Sequence, residues 1–329
     1  MIIAILTLMD IITYIWAQNR LTNRIGIIGA DPGGINTVIG LILAKNIRSV
    51  TAYVPISSRH LIDEHSSLQV RYVDDWRDLI DFSDWIILSA SWTDQAFLRA
   101  IVLANRKGIP TWLVLDSWYD YAERFKFSNR KPNQLPTKFV VSDKLAENIL
   151  RERLQLSRDK VLVDENLQFK YFLYHGVQIP EKPQAASALI LGSPLTAAKS
   201  KGMVETSALQ FTEQDIVTAC LEVLYELKIR SVIRPHPSQL QDEYAEFASN
   251  PFTEISNNKD LGTDLGGATI VIGYCSAALA IASITGRKSI CFGMSRSKDF
   301  FKWESYGVYD YYRIHWAGSQ KELRERLIE

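Results

Sequence analysis

One histidine of this sequence lies between two prolines and could take part in catalysis. Residues 232–239 read VIRPHPSQ, so Pro235, His236 and Pro237 directly follow a short apolar run. Proline fixes the backbone φ angle and extends neither helix nor sheet, so the imidazole is held rigidly where a strand ends. We predict that His236, held in this way, acts as a proton donor or a charged hydrogen-bond donor, with Arg234 and Pro237 beside it. The alternatives are a structural histidine and an Arg234 that pairs with a carboxylate.

A serine at a strand-to-helix junction could contact a phosphate. In GYCSAALAIA, Ser276 separates a predicted buried strand from an apolar, alanine-rich helix. Free amides and the dipole at a helix N-terminus bind anions, and the small side chains of Ala277 and Ala278 allow close approach. Ser276 therefore either contacts a phosphate or only caps the helix.

A carboxylate in the first half could act as a general base. Asp116 ends the apolar run of LVLDSWYDYAERF, so it is expected at the carboxyl end of a strand, where desolvation could raise its pKa. Its alternative role is to cap the following turn or helix, and Asp120 and Glu123 are the reserve candidates for the base. Three aromatic residues nearby could stack on sugar rings or simply pack: Trp118, Tyr119 and Tyr121.

Each half also has a loop after its first predicted strand that could contact a ligand. In GADPGGIN, Gly33 and Gly34 either let the backbone approach a ligand or serve a tight turn, and the spacing is not a full dinucleotide fingerprint. In LGSPLT, Ser193 and Thr196 could hydrogen-bond a nucleotide. Two further serines could line the cleft: Ser89 and Ser91.

The elements that must position these residues alternate between strand and helix. RIGIIGA reads as a strand, DPGG as a turn, INTVIGLILAKN as a helix and SVTAYV as the next strand, and the alternation restarts at SALILGSP. We predict an α/β protein with two Rossmann-like, doubly wound domains that face each other across a cleft. The predicted ranges are 1–22 for an apolar N-terminal segment, 23–170 for the N-terminal domain, 171–186 for a linker, 187–312 for the C-terminal domain and 313–329 for a C-terminal helix.

Composition limits the classes of function. Lysine plus arginine and aspartate plus glutamate number 37 each, so no global field draws the chain to nucleic acid. The three cysteines, Cys220, Cys275 and Cys291, lack CxxC spacing and lie in apolar runs, which suits a reducing compartment. Because neither the histidines nor the carboxylates show metal-ligand spacing, we predict neither a metal nor a cofactor.

The N-terminal segment 1–22 is apolar, but a membrane span fits it poorly. Asp10 interrupts it, no basic residue precedes Arg20, and about 20 apolar residues are needed to cross a bilayer. The alternatives are a packed or interfacial helix, or an extension upstream of the first domain. We predict a cytoplasmic protein, with peripheral association at the inner face of the membrane left open.

The pairing of RPHP with a strand, serine and small-residue helix about 40 residues later resembles the C-terminal domain of certain bacterial glycosyltransferases. These are the sialyltransferases and polysialyltransferases of the GT-B type, and the related CDP-glycerol glycerophosphotransferases. His236 and Pro237 match the HP dipeptide of those families, and Ser276 matches their Ser/Thr position. The resemblance implies that these residues grip the phosphate of a CMP or CDP donor. The stretch KFVVSDKLAENILRERLQLSRDKVLVDENLQF resembles the end of a GT-B N-terminal domain.

One motif of the sialyltransferases is missing. Where an acidic pair followed by glycine supplies their base, YVDDW places Trp76 after Asp74 and Asp75. We therefore predict a metal-independent, inverting glycosyltransferase that transfers a sugar from a nucleotide donor to a glycan acceptor in surface polysaccharide biosynthesis. The resemblance favours a CMP-linked donor and leaves CDP- and UDP-linked donors open. The alternatives are a UDP-sugar epimerase or hydrolase of the same architecture, a CDP-glycerol-type phosphotransferase, and a non-catalytic interaction protein.

Overall fold

A computed structural model gives the fold. It describes residues 24–91, 94–118, 121, 134–165, 167, 169–170, 183, 185–195, 211–237, 239–258, 260–274, 276–294 and 307–329. The chain divides into two compact units. The described residues of the first lie within 24–115, 134–141 and Leu156–Asp164. The described residues of the second are 116–118, 121, Ser142–Gln155 and those from Glu165 onward, so three segments inside the predicted range 23–170 pack with the second unit.

The first unit is built on a parallel sheet of seven strands among the described residues. The strands are β1 (Ile25–Ile28), β2 (Ser49–Tyr53), β3 (Gln69–Tyr72), β4 (Trp85–Ser89), β5 (Thr111–Val114), β6 (Lys138–Val141) and β7 (Val161–Val163). Their order is β3-β2-β1-β4-β5-β6-β7 and every pair is parallel. Strands β1 and β4 are buried along their whole length, as expected of central strands with both faces covered.

Helices connect the strands of this sheet. They are α1 (Pro32–Ala44), α2 (His60–Asp63), α3 (Trp76–Phe82) and α4 (Ala96–Lys107), while the following helix, α5 (Lys144–Leu154), lies in the second unit. Helix α1 begins with a proline, whose fixed φ suits the first helical turn. Helix α4 ends at Gly108, whose φ of 70° is the left-handed conformation that glycine adopts without strain.

The second unit contains a parallel sheet of six strands. These are β8 (Ser187–Leu191), β9 (Arg230–Arg234), β10 (Thr253–Ile255), β11 (Ile270–Gly273), β12 (Lys288–Phe292) and β13 (His315–Ala317), in the order β10-β9-β8-β11-β12-β13. The helices are α6 (Glu213–Glu226), α7 (Leu261–Gly266), α8 (Ala277–Ile284), α9 (Val308–Tyr312) and α10 (Gln320–Ile328), with a 3-10 helix at Gln241–Ser249. The apolar core of the second unit lies between this sheet and helix α6.

The C-terminal segment differs from its prediction in one respect. We expected a helix over 313–329, but His315–Ala317 form β13, which pairs in parallel with β12. Helix α10 begins only at Gln320, after Ser319 caps it by accepting a hydrogen bond from the Glu322 amide at 3.2 Å. Three residues are too short a run to show strand alternation in the sequence. The predicted α/β class with two parallel, doubly wound sheets is confirmed.

Candidate functional site

The loops that carry the predicted phosphate contacts leave one edge of the second sheet. Strand β8 lies between β9 and β11, and all three are parallel, so their carboxyl ends meet at the same edge. The chain leaves β8 toward β9 on one side and reaches β11 on the other, which makes this point a topological switch. In open α/β sheets ligands bind at such a point. The structure therefore brings together the loops that hold Ser193, His236 and Ser276.

His236 follows the end of β9 by two residues. His236 and its neighbour Pro237 are both exposed to solvent. Protein atoms nevertheless surround enough of the imidazole to desolvate its charged form, which lowers the pKa of His236 to about 4. At neutral pH the imidazole is therefore uncharged when no ligand is present.

Arg234 is held by the protein itself. Its guanidinium forms a salt bridge with Asp264, and the two side chains are only 14% and 2% exposed. It also donates to the carbonyl oxygens of Asn258 at 3.0 Å and Asp260 at 3.1 Å. Asp264 in turn accepts from the Ser256 hydroxyl at 2.7 Å. These contacts favour the alternative in which Arg234 pairs with a carboxylate.

The two serines of the site are held by local hydrogen bonds. Ser276 is the N-cap of α8 and accepts from the Ala278 amide at 3.3 Å, which is the capping alternative; the residue is only half-buried. Ser193 donates to the Tyr274 carbonyl at 3.2 Å and so joins the β8 loop to the end of β11. Thr196 lies outside the described residues.

The glycine pair of the first unit has two different environments. Gly34 is buried in the first turn of α1, where a Cβ atom would lie 2.8 Å from the Ser89 Cβ, so glycine is needed for close packing of α1 on β4. Gly33 is exposed, and its carbonyl accepts from the Thr37 hydroxyl at 2.7 Å. Ser89 and Ser91 are buried, so neither side chain is at the surface. Of this group, Gly33 is the residue open to a ligand.

Asp116 lies two residues beyond β5 and is half-buried. The aromatic residues beside it follow the packing alternative, because Trp118 and Tyr121 are only 1% and 2% exposed. The Trp118 indole N–H donates to Asp143 at 2.7 Å. Three candidates from this stretch lie outside the described residues: Tyr119, Asp120 and Glu123.

Sequence reasoning missed Asp143. This buried carboxylate accepts hydrogen bonds from Trp118, Tyr312 and Ser142, and from the Ala146 amide at 2.7 Å. Its position before α5 identifies it as a helix cap, but partners 25 and 169 positions away leave no local signal. It joins three segments of the second unit, one of which is the stretch after β5 that holds Asp116 and Trp118.

The acidic pair of YVDDW has structural contacts. Asp75 caps α3 by accepting from the Arg77 amide at 2.9 Å, and Asp74 pairs with Arg59 at 3.0 Å. In the part of the chain that the structure describes, no group of three or more His, Cys, Asp or Glu residues could hold a metal ion. None of the helices within the described ranges is long and apolar enough to cross a membrane.

Comparison with known proteins identifies the fold class. No protein-family model and none of the curated proteins matches the sequence. Among solved structures, the chain is similar to S. aureus MnaA with UDP, at 12% identity and a TM-score of 0.64, over 92% of this chain and 87% of that one. UDP-GlcNAc 2-epimerase from Neisseria meningitidis, bound to UDP-GlcNAc, gives 10% identity and a TM-score of 0.61, over 93% and 90%. A glycosyltransferase from Rickettsia africae gives 12% and 0.55, over 93% and 88%.

The chain thus has the GT-B fold, the architecture that its glycosyltransferase and epimerase neighbours share. At these identities the similarity establishes the fold, and function has to be argued from the residues of the site.

Proposed function

We propose that the protein is a GT-B glycosyltransferase that binds a nucleotide-activated sugar at the loops after β8, β9 and β11. The observation that carries this proposal is the meeting of Ser193, His236 and the N-terminus of α8 at the switch point of the second sheet. Two structural neighbours bound to UDP or UDP-GlcNAc support a nucleotide-sugar ligand of this architecture. The HP dipeptide favours a CMP-linked donor.

The reaction that this site supports is a single displacement. The acceptor hydroxyl attacks the anomeric carbon, the bond from that carbon to the phosphate oxygen breaks, and the nucleotide leaves with its electron pair. Inversion follows from one attack on the opposite face. His236 and the amides of α8 stabilise the departing phosphate, and Asp116 accepts the acceptor proton. The proposed acceptor is a growing surface glycan, and the residues named here require no metal.

A thermal-shift panel tests nucleotide binding directly. CMP, CDP, UDP and GDP, each with its sugar conjugates, are added to the protein, and a specific ligand raises the melting temperature by mass action. A shift with one nucleotide family supports the proposal and names the base. If every nucleotide leaves the melting temperature unchanged at millimolar concentration, the chain is better described as a non-catalytic interaction protein.

An epimerase or hydrolase is the second candidate, because two of the similar structures are UDP-GlcNAc 2-epimerase and the UDP complex of MnaA. Such an enzyme needs no acceptor. Donor turnover at full rate without any added glycan would therefore favour it over a transferase. A donor that is consumed rapidly only when acceptor is present would favour the transferase.

A further inference from the structure

The loop that carries His236 is held by Gln239, to which the sequence analysis gave no role. The backbone N–H of His236 donates to the side-chain oxygen of Gln239 at 3.2 Å, and the backbone N–H of Gln239 donates to the His236 carbonyl oxygen at 2.8 Å. Both backbone polar groups of the histidine are therefore bound by one residue. Since the backbone of residue 236 sets the direction of its side chain, Gln239 controls where the imidazole points.

A buried tyrosine fixes which end of the Gln239 amide faces the histidine. The Tyr244 hydroxyl donates to the same Gln239 oxygen at 2.8 Å, and the tyrosine is fully buried. Burial raises the pKa of Tyr244 to about 12, so the phenol stays protonated at neutral pH. A glutamine nitrogen cannot accept this proton, so the oxygen must face Tyr244 and His236. The nitrogen then points to Glu243, at 3.4 Å.

Gly192, the residue after β8, packs against the loop that carries His236. The Gly192 amide donates to the Arg234 carbonyl at 2.7 Å. A Cβ atom at this position would lie 2.9 Å from the His236 backbone nitrogen, 2.9 Å from the Gln239 oxygen and 2.7 Å from the Tyr244 hydroxyl. These separations are shorter than a carbon atom tolerates, so only glycine allows β8 to pack against the loop. The backbone of His236 is thus held by three residues in contact with one another, which we call the support: Gly192, Gln239 and Tyr244.

We propose that Gln239 and Tyr244 are positioning residues that, together with Gly192, hold His236 in the orientation in which it meets the donor phosphate. They act through the backbone of the loop and do not themselves touch the ligand. This assignment rests on the proposed function in one respect, namely that His236 contacts a nucleotide phosphate. The support itself is a property of the loop and can be measured without any ligand.

The first measurement is hydrogen exchange at the His236 amide, observed by NMR in protein labelled with ¹⁵N-histidine. Only five histidines give signals, and loss of one signal in His236→Gln assigns it. Gln239→Met keeps the chain length and removes the acceptor, so we expect exchange at His236 to accelerate by about tenfold or more. Gln239→Glu combined with Glu243→Gln keeps the acceptor and exchanges the two side chains that face each other at 3.4 Å, so the exchange rate of this double variant is expected to stay close to that of the wild-type protein.

The matched control is Gln241→Met, the same substitution two positions along. Gln241 is exposed and donates to the Ser256 carbonyl at 3.2 Å, outside the support. It should leave the His236 amide signal and its exchange rate unchanged. If Gln239→Met exchanges no faster than Gln241→Met, or if the double variant Gln239→Glu with Glu243→Gln is as fast as Gln239→Met, the support does not exist as described.

The second measurement connects the support to the ligand. Affinities for CMP and UDP are determined for His236→Ala, Gln239→Met and Gln241→Met. We expect the first two to weaken whichever nucleotide binds by about tenfold, since a misplaced contact is lost much as a deleted one is. If wild type binds neither nucleotide, the proposed function is refuted while the exchange result stands. If wild type binds a nucleotide and His236→Ala binds it equally well, the contact between His236 and the phosphate is refuted. If His236→Ala weakens binding but Gln239→Met binds like wild type, the positioning role is refuted.

Discussion

Replacing Asp143 with asparagine should destabilise the second unit strongly, although the two side chains have nearly the same shape. The carboxylate is 4% exposed. One of its oxygens accepts from the Trp118 indole at 2.7 Å, from the Tyr312 hydroxyl and from Ser142 at 3.1 Å. The other accepts from the Ala146 amide and caps α5. Burial, followed by the charge of Asp143, raises the pKa of Tyr312 above its ordinary value, so its hydroxyl remains a donor.

The magnitude follows from counting acceptors. Asparagine has one oxygen, so whichever way its amide turns, its N–H₂ group faces at least one donor. If the nitrogen faces Ala146, the helix loses a cap worth about 1 kcal/mol and a buried N–H is left unpaired at a cost of about 1–3 kcal/mol. If it faces Trp118 and Tyr312, two buried donors are affected. We therefore expect Asp143→Asn to lower the free energy of unfolding by about 2–4 kcal/mol.

Urea unfolding followed by circular dichroism measures this change. The matched control is Tyr312→Phe, which removes one donor and leaves Asp143 with its other three partners, so a loss of about 1 kcal/mol is expected. Because the two positions share one hydrogen bond, the double variant should lose less than the sum of the two single losses. An Asp143→Asn protein within about 0.5 kcal/mol of wild type would show that this network does not stabilise the fold.

Four further outcomes are expected. His236→Ala should lower turnover by about 100-fold or more with the melting temperature unchanged, and near-normal turnover would contradict its role. Ser276→Ala should weaken nucleotide binding by about 1–2 kcal/mol; unchanged affinity would leave Ser276 as a helix cap alone. Asp116→Asn should preserve donor affinity while transfer to the acceptor collapses, and a wild-type transfer rate would place the base elsewhere. His236 is uncharged at neutral pH because its pKa is lowered to about 4, and a bound phosphate raises that pKa, so nucleotide binding should take up a proton. Calorimetry in two buffers of different ionisation enthalpy measures this proton uptake, and His236→Gln should abolish the uptake.

The fold could be predicted because each central strand is a short apolar run between helical segments. β1 and β4 are buried throughout, so their sequences carry hardly any polar residue, and this pattern is local. β13 escaped prediction because an edge strand of three residues has no such pattern. Its assignment depends on pairing with β12, which the sequence does not display.

For the candidate site, the sequence could predict only where its loops lie. That His236 and Ser276 lie at one edge of the sheet could be predicted because the carboxyl ends of parallel strands share an edge. The partners of each side chain depend on tertiary contacts. Arg234 meets a carboxylate 30 positions away, and the Gln239 amide is fixed by a tyrosine in the following 3-10 helix. Neither contact produces a periodic or local signal.

These partners bear on how the site would hold a phosphate. Arg234, the cation nearest to the HP dipeptide in sequence, is already neutralised by Asp264. The groups that the described loops offer are the amides of α8, the Ser276 hydroxyl and an imidazole that is uncharged at neutral pH. A phosphate that approached His236 would raise its pKa, because a nearby negative charge favours the protonated ring. In the proposed reaction the positive charge beside the leaving group is therefore created when the donor binds, because the imidazole by itself is uncharged at neutral pH.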